Sequence, residues 1–241
     1  MNRVTRSSRS PGHCVHLLSI PPLFTLLTYF LSPFHAHPLP QIFASNLNPR
    51  MAQRFFNLVL LDAVRADIHE NKKLNYHYYA SLKKSLYKPA AFFKGILLPL
   101  CKQQCTLREA AVVSSVLAKV SVPVAHSAVA IAKICSYDYT PAQAIFLRTL
   151  LNKKYSLPVS VVRGVVAYFD RTSLLDPQQA KPVLWFQCLL TFVERYKISV
   201  SDDDKKKIKG VCQRCVHKSM TPAIRIELFG AQAFKGGESN S

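Results

Sequence analysis

Residues 106–120 read TLREAAVVSSVLAKV and indicate how the chain folds. Thr106 and Glu109 have the spacing of a capping box, in which each side chain accepts a hydrogen bond from the other residue's backbone N–H. The apolar run that follows, 110–120, has the character of a helix that buries one face. This stretch therefore predicts a helix that begins just after Thr106.

The same start signal recurs along the chain. Thr140-Pro141 combines a capping residue with a proline, and proline is well tolerated at the first position of a helix. Prolines at 123, 158, 182 and 222 indicate further starts. From Pro182 onward, apolar residues recur at steps of three and four, which predicts an amphipathic helix with a wide apolar face: Leu184, Trp185, Cys188, Leu189, Phe192 and Tyr196.

Alternate starts are 35–41 residues apart, as from Pro123 to Pro158 or from Pro141 to Pro182. That spacing is typical of arrays of helix pairs. The predicted fold class is all-α, an irregular helical-repeat (α-solenoid-like) array of helix pairs. The units are not similar in sequence, so a closed four-helix bundle is the alternative.

The chain is predicted to have three parts. Residues 1–52 contain no acid and include the apolar stretch from Cys14 to Phe34, which Pro21-Pro22 interrupts. We expect a disordered extension; the alternatives are a targeting peptide for an organelle and a natural start at Met51. Residues 53–232 form the helical domain, and residues 233–241 are a polar tail.

The composition excludes or disfavours several classes of protein. The 241 residues carry a formal net charge of +19, and 49% are hydrophobic, which excludes global disorder. Seven Gly against 15 Pro disfavour enzymes with Gly-rich phosphate loops and turn-dense β folds. Seven scattered Cys indicate a reducing compartment. RNA, DNA or an anionic membrane could match the charge, but the apolar N-terminal stretch is too broken to favour a membrane partner.

No catalytic, cofactor or metal motif is recognisable, and we expect a protein that is not an enzyme. Cys212-x-x-Cys215-Val-His217 supplies only half of a zinc site, and its thiols are predicted to lie buried near a helix end. His126 is interpreted as a core or groove histidine without a nucleophile partner. Residues 202–207, DDDKKK, predict a solvated helix start rather than a metal site.

A basic surface is the informative feature. Treated as a helix, residues 72–88 place Leu74, Tyr78, Leu82 and Leu86 in one sector. The opposite sector, here called the Lys/Tyr face, mixes cations that neutralise phosphates with rings that stack on unpaired bases. The Lys/Tyr face comprises Lys72, Lys73, Tyr76, Lys83, Lys84 and Tyr87. Candidate extensions are Lys88, Lys94, Arg148, Lys153, Lys154, Tyr155 and Arg163. An ordinary solvated helix face is the alternative.

Several stretches, in order and spacing, resemble the bystin family of small-subunit ribosome biogenesis factors. The resemblance covers about residues 54–230 and rests on RFFNLVLL (54–61), LNYHYYASLKKSLYKP (74–89), FFKGILLPLC (92–101), CTLREA (105–110), IFLR (145–148), LNKKY (151–155) and PVLWFQCLL (182–190).

The resemblance implies an all-helical, repeat-like fold and a non-catalytic assembly factor needed for 18S rRNA maturation. It implies pre-rRNA, small-subunit ribosomal proteins and other assembly factors as partners. The implied location is the nucleus and nucleolus, and the cytoplasm for late small-subunit precursors. The family usually has a long charged region before its conserved part, which residues 1–52 do not resemble. The alternative function is a helical-repeat adaptor that binds proteins without touching RNA.

Overall fold

A computed structural model describes residues 46–175 and 181–230, and within those ranges every regular element is helical. The expected all-α class is confirmed. The helices are α1 (Pro49–Phe55), α2 (Leu61–Asn71), α3 (Tyr76–Ser85), α4 (Pro89–Phe92), α5 (Leu98–Lys102), α6 (Leu107–Lys119), α7 (Val124–Cys135), α8 (Pro141–Leu151), α9 (Val159–Leu174), α10 (Val183–Tyr196), α11 (Asp202–Arg214) and α12 (Met220–Phe229). The predicted tail (233–241) and residues 1–45 of the predicted extension (1–52) lie outside the described residues. Within the described part of that extension, α1 already begins at Pro49 and Ala52 is buried.

Local capping chemistry sets the helix starts. At α6 the Glu109 N–H donates to Thr106 Oγ1 at 3.2 Å, and the Thr106 N–H donates to Glu109 Oε2 at 2.8 Å, which confirms the capping box. Thr140 caps α8 in the predicted manner, with Pro141 at its first position.

Three of the other prolines occupy the N-cap position of their helices, whereas the sequence predicted the first helical position. Pro123, Pro158 and Pro182 are the N-cap residues of α7, α9 and α10, with ψ between 136° and 148°. An N-cap residue has extended ψ, and its own N–H makes no helical bond, so proline fits there as well. Pro222 lies two residues after the start of α12.

The helices pack in two layers. In one layer α8 lies between α6 and α10, and α10 contacts α12. In the second layer α9 lies between α7 and α11. Each helix therefore packs mainly against the helix two places along the chain, which is the neighbour pattern of a helical-repeat array.

A buried aromatic cluster joins α9 to α10. The Phe169 and Trp185 rings lie 5.5 Å apart at 81°, and the Phe192 ring lies 6.2 Å from Phe169. The Trp185 indole Nε1–H donates to Thr172 Oγ1 at 3.0 Å, so the buried indole has its hydrogen-bond partner.

Two π-helical segments, Phe56–Leu60 and Phe93–Leu97, interrupt the first helices and pack against each other. The first joins α1 to α2, and the second joins α4 to α5. Residues 55–61 read FFNLVLL and residues 92–98 read FFKGILL, and each π segment begins at the second phenylalanine. This part of the chain thus repeats itself in sequence and in structure, although the later helices show no such similarity in sequence.

Basic side chains also connect the units, because a cation from a later unit donates to carbonyl groups at the C-terminal end of an earlier helix. Such carbonyls have no partner within their own helix, and the helix dipole favours a cation beside them. Some of the basic side chains therefore bind carbonyl groups of the protein itself. These contacts are Arg108 to Lys72 O (3.2 Å), Lys153 to Ala118 O (2.9 Å) and Val120 O (2.5 Å), Arg171 to Cys135 O and Tyr137 O (2.9 Å each), and Arg225 to Cys212 O (3.1 Å).

Replacing Arg171 by Met should lower the free energy of unfolding by about 1–2 kcal/mol, because two carbonyl groups lose a charged donor. For a chain of this length the melting temperature should fall by about 2–8 °C. Thermal denaturation checks the effect against Arg195→Met, which removes an exposed arginine of α10. Equal melting temperatures for the two variants would contradict the capping role.

Candidate nucleic-acid interface

The helix predicted over 72–88 is shorter in the structure. Lys72 ends α2 in the left-handed conformation with φ 56°, and α3 begins at Tyr76. Asn75 causes the new start, because its side-chain oxygen accepts from the His77 N–H at 3.0 Å. Lys72 and Lys73 therefore precede α3, while Tyr87 and Lys88 follow it.

The two sides of α3 nevertheless differ in burial, as the sequence predicts. Tyr78, Leu82 and Leu86 are buried, while Leu74 is half-buried. On the opposite side Tyr76 and Tyr87 are 75% and 77% exposed as residues, which leaves both available for stacking.

The basic candidates near α3 differ in exposure. Lys72, Lys73 and Lys83 are exposed, whereas Lys84 and Lys88 are half-buried. Partial burial lowers the pKa of Lys88. Lys94 is exposed on the π segment after α4, and α4 packs against α3.

The pair at 153–154 divides into two roles. The Lys153 ammonium is held by the carbonyl oxygens of Ala118 and Val120, and burial lowers its pKa. Lys154 is exposed and has φ 55°, so its backbone turns away after α8. Lys153 thus fixes the turn, and Lys154 presents its charge to solvent.

Three further candidate side chains hold neighbouring helices together. Arg148 donates to Gln187 Oε1 at 2.8 Å, and the Tyr155 hydroxyl accepts from the Val122 N–H at 2.9 Å. Arg163 lies 4.0 Å from the buried carboxylate of Asp204.

Lys119 is a cation of this surface that the sequence did not indicate. Its Nζ lies 5.2 Å from the centroid of the Tyr79 ring, across the contact between α6 and α3. Burial alone would raise the pKa of Tyr79, but the Ser115 hydroxyl and the positive charges of Lys119 and Lys83 bring it below its usual value. The contact joins residues 40 positions apart, so no local pattern could have revealed it.

The Cys212–His217 cluster has structural roles. Cys212 is 2% exposed in the last turn of α11, which confirms its predicted burial near a helix end, and burial raises its pKa to about 11. His217 Nδ1 accepts from the Met220 N–H at 3.3 Å, at the start of α12. Cys215 is half-buried and lies just after α11. Across the described ranges no three His, Cys, Asp or Glu side chains are grouped to hold a metal ion.

The structure also places His126 and the acidic and basic run at 202–207. His126 is half-buried on α7. The Asp202–Lys207 run begins α11 as predicted, with Ser201 as N-cap and with the ion pairs Asp202–Lys205 and Asp203–Lys206 at 2.9 Å and 3.2 Å. The prediction that this helix start is solvated is wrong for Asp204, which is only 4% exposed. In the part of the chain that the structure describes, no helix has the length and apolar character needed to cross a membrane.

Comparison with known proteins gives a consistent result. The family model described as Bystin matches residues 32–236. Bystin of Nematostella vectensis is 54% identical over 194 residues, which cover 80% of this chain and 45% of that protein. Bystin of Homo sapiens is 50% identical over 79% of this chain and 44% of its own length, and Bystin of Arabidopsis thaliana is 46% identical over 82% and 44%. The chain spans less than half the length of these curated relatives.

Proposed function

The chain belongs to the bystin family, and on that premise we propose that it is a non-catalytic assembly factor of the small ribosomal subunit precursor. In this role it binds pre-rRNA and other assembly proteins and is needed for 18S rRNA maturation. It acts in the nucleolus and accompanies late precursors to the cytoplasm. The proposed role is that of the segment, less than half of the relatives' length, that this chain matches.

The single observation that carries the proposal is the exposure of the Lys/Tyr face beside α3. Two tyrosine residues, Tyr76 and Tyr87, are about three-quarters exposed, and Lys72, Lys73 and Lys83 are exposed near them. Exposed lysines neutralise phosphates, and exposed tyrosine rings stack on unpaired bases. A surface that combines both suits unpaired segments of an rRNA precursor.

The thiols support a role without nucleophilic chemistry. Burial raises the pKa of Cys101 and of Cys135 to about 12, so both are neutral thiols at physiological pH. The thiolate is the reactive form of cysteine, and these residues are accordingly poor nucleophiles. We infer that they serve to pack the helices.

Purified protein should bind single-stranded RNA in a salt-sensitive manner, because each neutralised phosphate releases counterions. With four or five contacts, the slope of log K against log salt concentration should be about −3. Fluorescence anisotropy over a salt series measures this slope. In cells, tagged protein should sediment with small-subunit precursors, and its depletion should impair 18S processing. Tagged protein confined to light fractions, together with normal 18S processing after depletion, would refute the proposal.

The second candidate is a helical-repeat adaptor that binds proteins and does not touch RNA. It is favoured by cations that bond within the fold, since Lys153 and Arg171 donate to carbonyl groups at helix ends. Charge reversal on the Lys/Tyr face distinguishes the two functions.

A further inference from the structure

We propose that Lys119 joins the Lys/Tyr face to Lys154 in one continuous phosphate-binding track, along which a single-stranded RNA segment crosses the C-terminal end of α6. This inference rests on the proposed function and deepens it. It adds a contact residue and specifies the path that connects two candidate regions separated by more than sixty residues in the sequence.

The first link of the track is the contact between α3 and α6. Tyr76, Tyr79 and Lys83 occupy positions three and seven apart on α3, so they form one stripe along that helix. Lys119 lies over the ring of Tyr79 at 5.2 Å, and its side chain is exposed. The positive charges of Lys83 and Lys119 both act on Tyr79. The exposed cations of α3 and α6 therefore share one location on the surface.

The second link is the contact between α6 and the turn after α8. Lys153 donates to the carbonyl groups of Ala118 and Val120, the two residues that flank Lys119 in the chain. The turn that carries Lys154 is thereby anchored at the end of α6. Lys154 follows directly, exposed and in the left-handed conformation.

Lys153 makes the end of α6 more favourable to an anion. The C-terminal end of a helix carries partial negative charge, which repels phosphate. Lys153 covers two of the outward carbonyl groups of α6 with a positive charge. Lys153 is thus a positioning residue, and Lys119 and Lys154 are the contact residues.

Lys119→Gln tests the track, and Lys133→Gln is a matched control. Lys133 is an exposed lysine that lies over a tyrosine ring, Tyr137, at 5.9 Å, but it belongs to α7 in the other layer. Both substitutions remove one charge and one cation–π contact. The probe is a labelled single-stranded RNA of about 20 nucleotides, long enough for the several phosphate contacts that set the salt slope, measured by fluorescence anisotropy.

At 0.1 M salt the Lys119 variant should bind about fivefold more weakly, with a salt slope smaller by about 0.7, because one phosphate contact is lost. The Lys133 variant should match the unmodified protein, and Lys119→Arg should retain its affinity. Ultraviolet crosslinking of the unmodified protein should additionally mark peptides that contain residues 107–120 and 152–156, a readout that does not depend on the folding of any variant.

The outcomes separate the two proposals. Unmodified protein that binds no RNA would overturn the proposed function. RNA binding that weakens on charge reversal of Lys83 and Lys84 but not in Lys119→Gln, with no crosslinks near Lys119, would overturn the track alone. Preferential binding of duplex RNA or of an acidic peptide by the unmodified protein would also overturn the single-stranded track.

Discussion

Replacing Gly95 by alanine will lower the free energy of unfolding by about 2–3 kcal/mol, because the new methyl group has no space. A Cβ atom at this position would lie 2.8 Å from the Gln53 carbonyl oxygen and 3.0 Å from Phe56 Cβ. The nearest atom belongs to the backbone of α1, so relief requires the two packed helical segments to separate. The melting temperature should fall by about 4–12 °C in thermal denaturation followed by circular dichroism.

Gly164→Ala is the matched control for this prediction. Gly164 lies in the interior of α9, and a Cβ atom there would meet nothing within 4 Å. Because alanine loses less conformational entropy than glycine in a helix, the substitution should stabilise the protein by about 0.5–1 kcal/mol. Equal or higher stability of the Gly95 variant, alongside the stabilised Gly164 variant, would show that the close approach at Gly95 does not limit stability.

Gly95 lies where the two π segments pack against each other. Phe56 and Phe93 occupy equivalent positions in the two repeated stretches, and each begins its π segment. Both rings are buried, and Gly95 lies in the second segment against Phe56. An extra residue in a helical turn rotates the side chains that follow it. We infer that the paired π segments set the rotation at which these first helices pack closely.

Features encoded within a few residues could be predicted from the sequence. The caps at Thr106 and Thr140 depend on a hydroxyl and a backbone N–H three residues away, so the pattern itself contains the interaction. The buried face of α10, including Trp185 and Phe192, follows from a periodicity within one helix. Helix-pair spacing likewise predicted the array.

Features that depend on packing could not be predicted. The Arg171 contacts with the end of α7 join residues 34 and 36 positions apart. Lys153 stays a predicted RNA-contact residue, and its bonds to the carbonyl groups of Ala118 and Val120 could not be predicted, because a sequence cannot distinguish a cation that faces solvent from one that caps a neighbouring helix. The end of α2 at Lys72 was missed because continuing the helical wheel through Asn75 ignored that residue's preference for an N-cap.

These contacts change the interpretation of the net charge of +19. The basic side chains have at least two roles. Some bind the partly negative C-terminal ends of helices within the array. Others are exposed at the surface near α3 and the end of α6. The second group is the one that the fold leaves directed to solvent. Total charge therefore overstates the RNA-binding potential, and the position of each lysine decides its role.

Reversing the charge of Lys72, Lys83, Lys84 and Lys88 to Glu should weaken single-stranded RNA binding by at least about 100-fold at 0.1 M salt. The estimate follows from about fivefold per lost phosphate contact, reduced because Lys84 and Lys88 are half-buried. Fluorescence anisotropy measures the affinity. Thermal denaturation checks that the variant remains folded, since Lys84 and Lys88 are half-buried.

A charge-matched variant separates the site from the total charge. Lys133, Lys206, Lys209 and Lys218 are exposed far along the chain from α3, and reversing these four charges changes the net charge by the same amount. If a general attraction to the basic protein accounted for binding, both variants would lose the same affinity. If the Lys/Tyr face is the site, the first variant loses far more than the second. A folded first variant with undiminished RNA affinity would reject the face and favour the adaptor, because a protein-binding array has no need of these four charges.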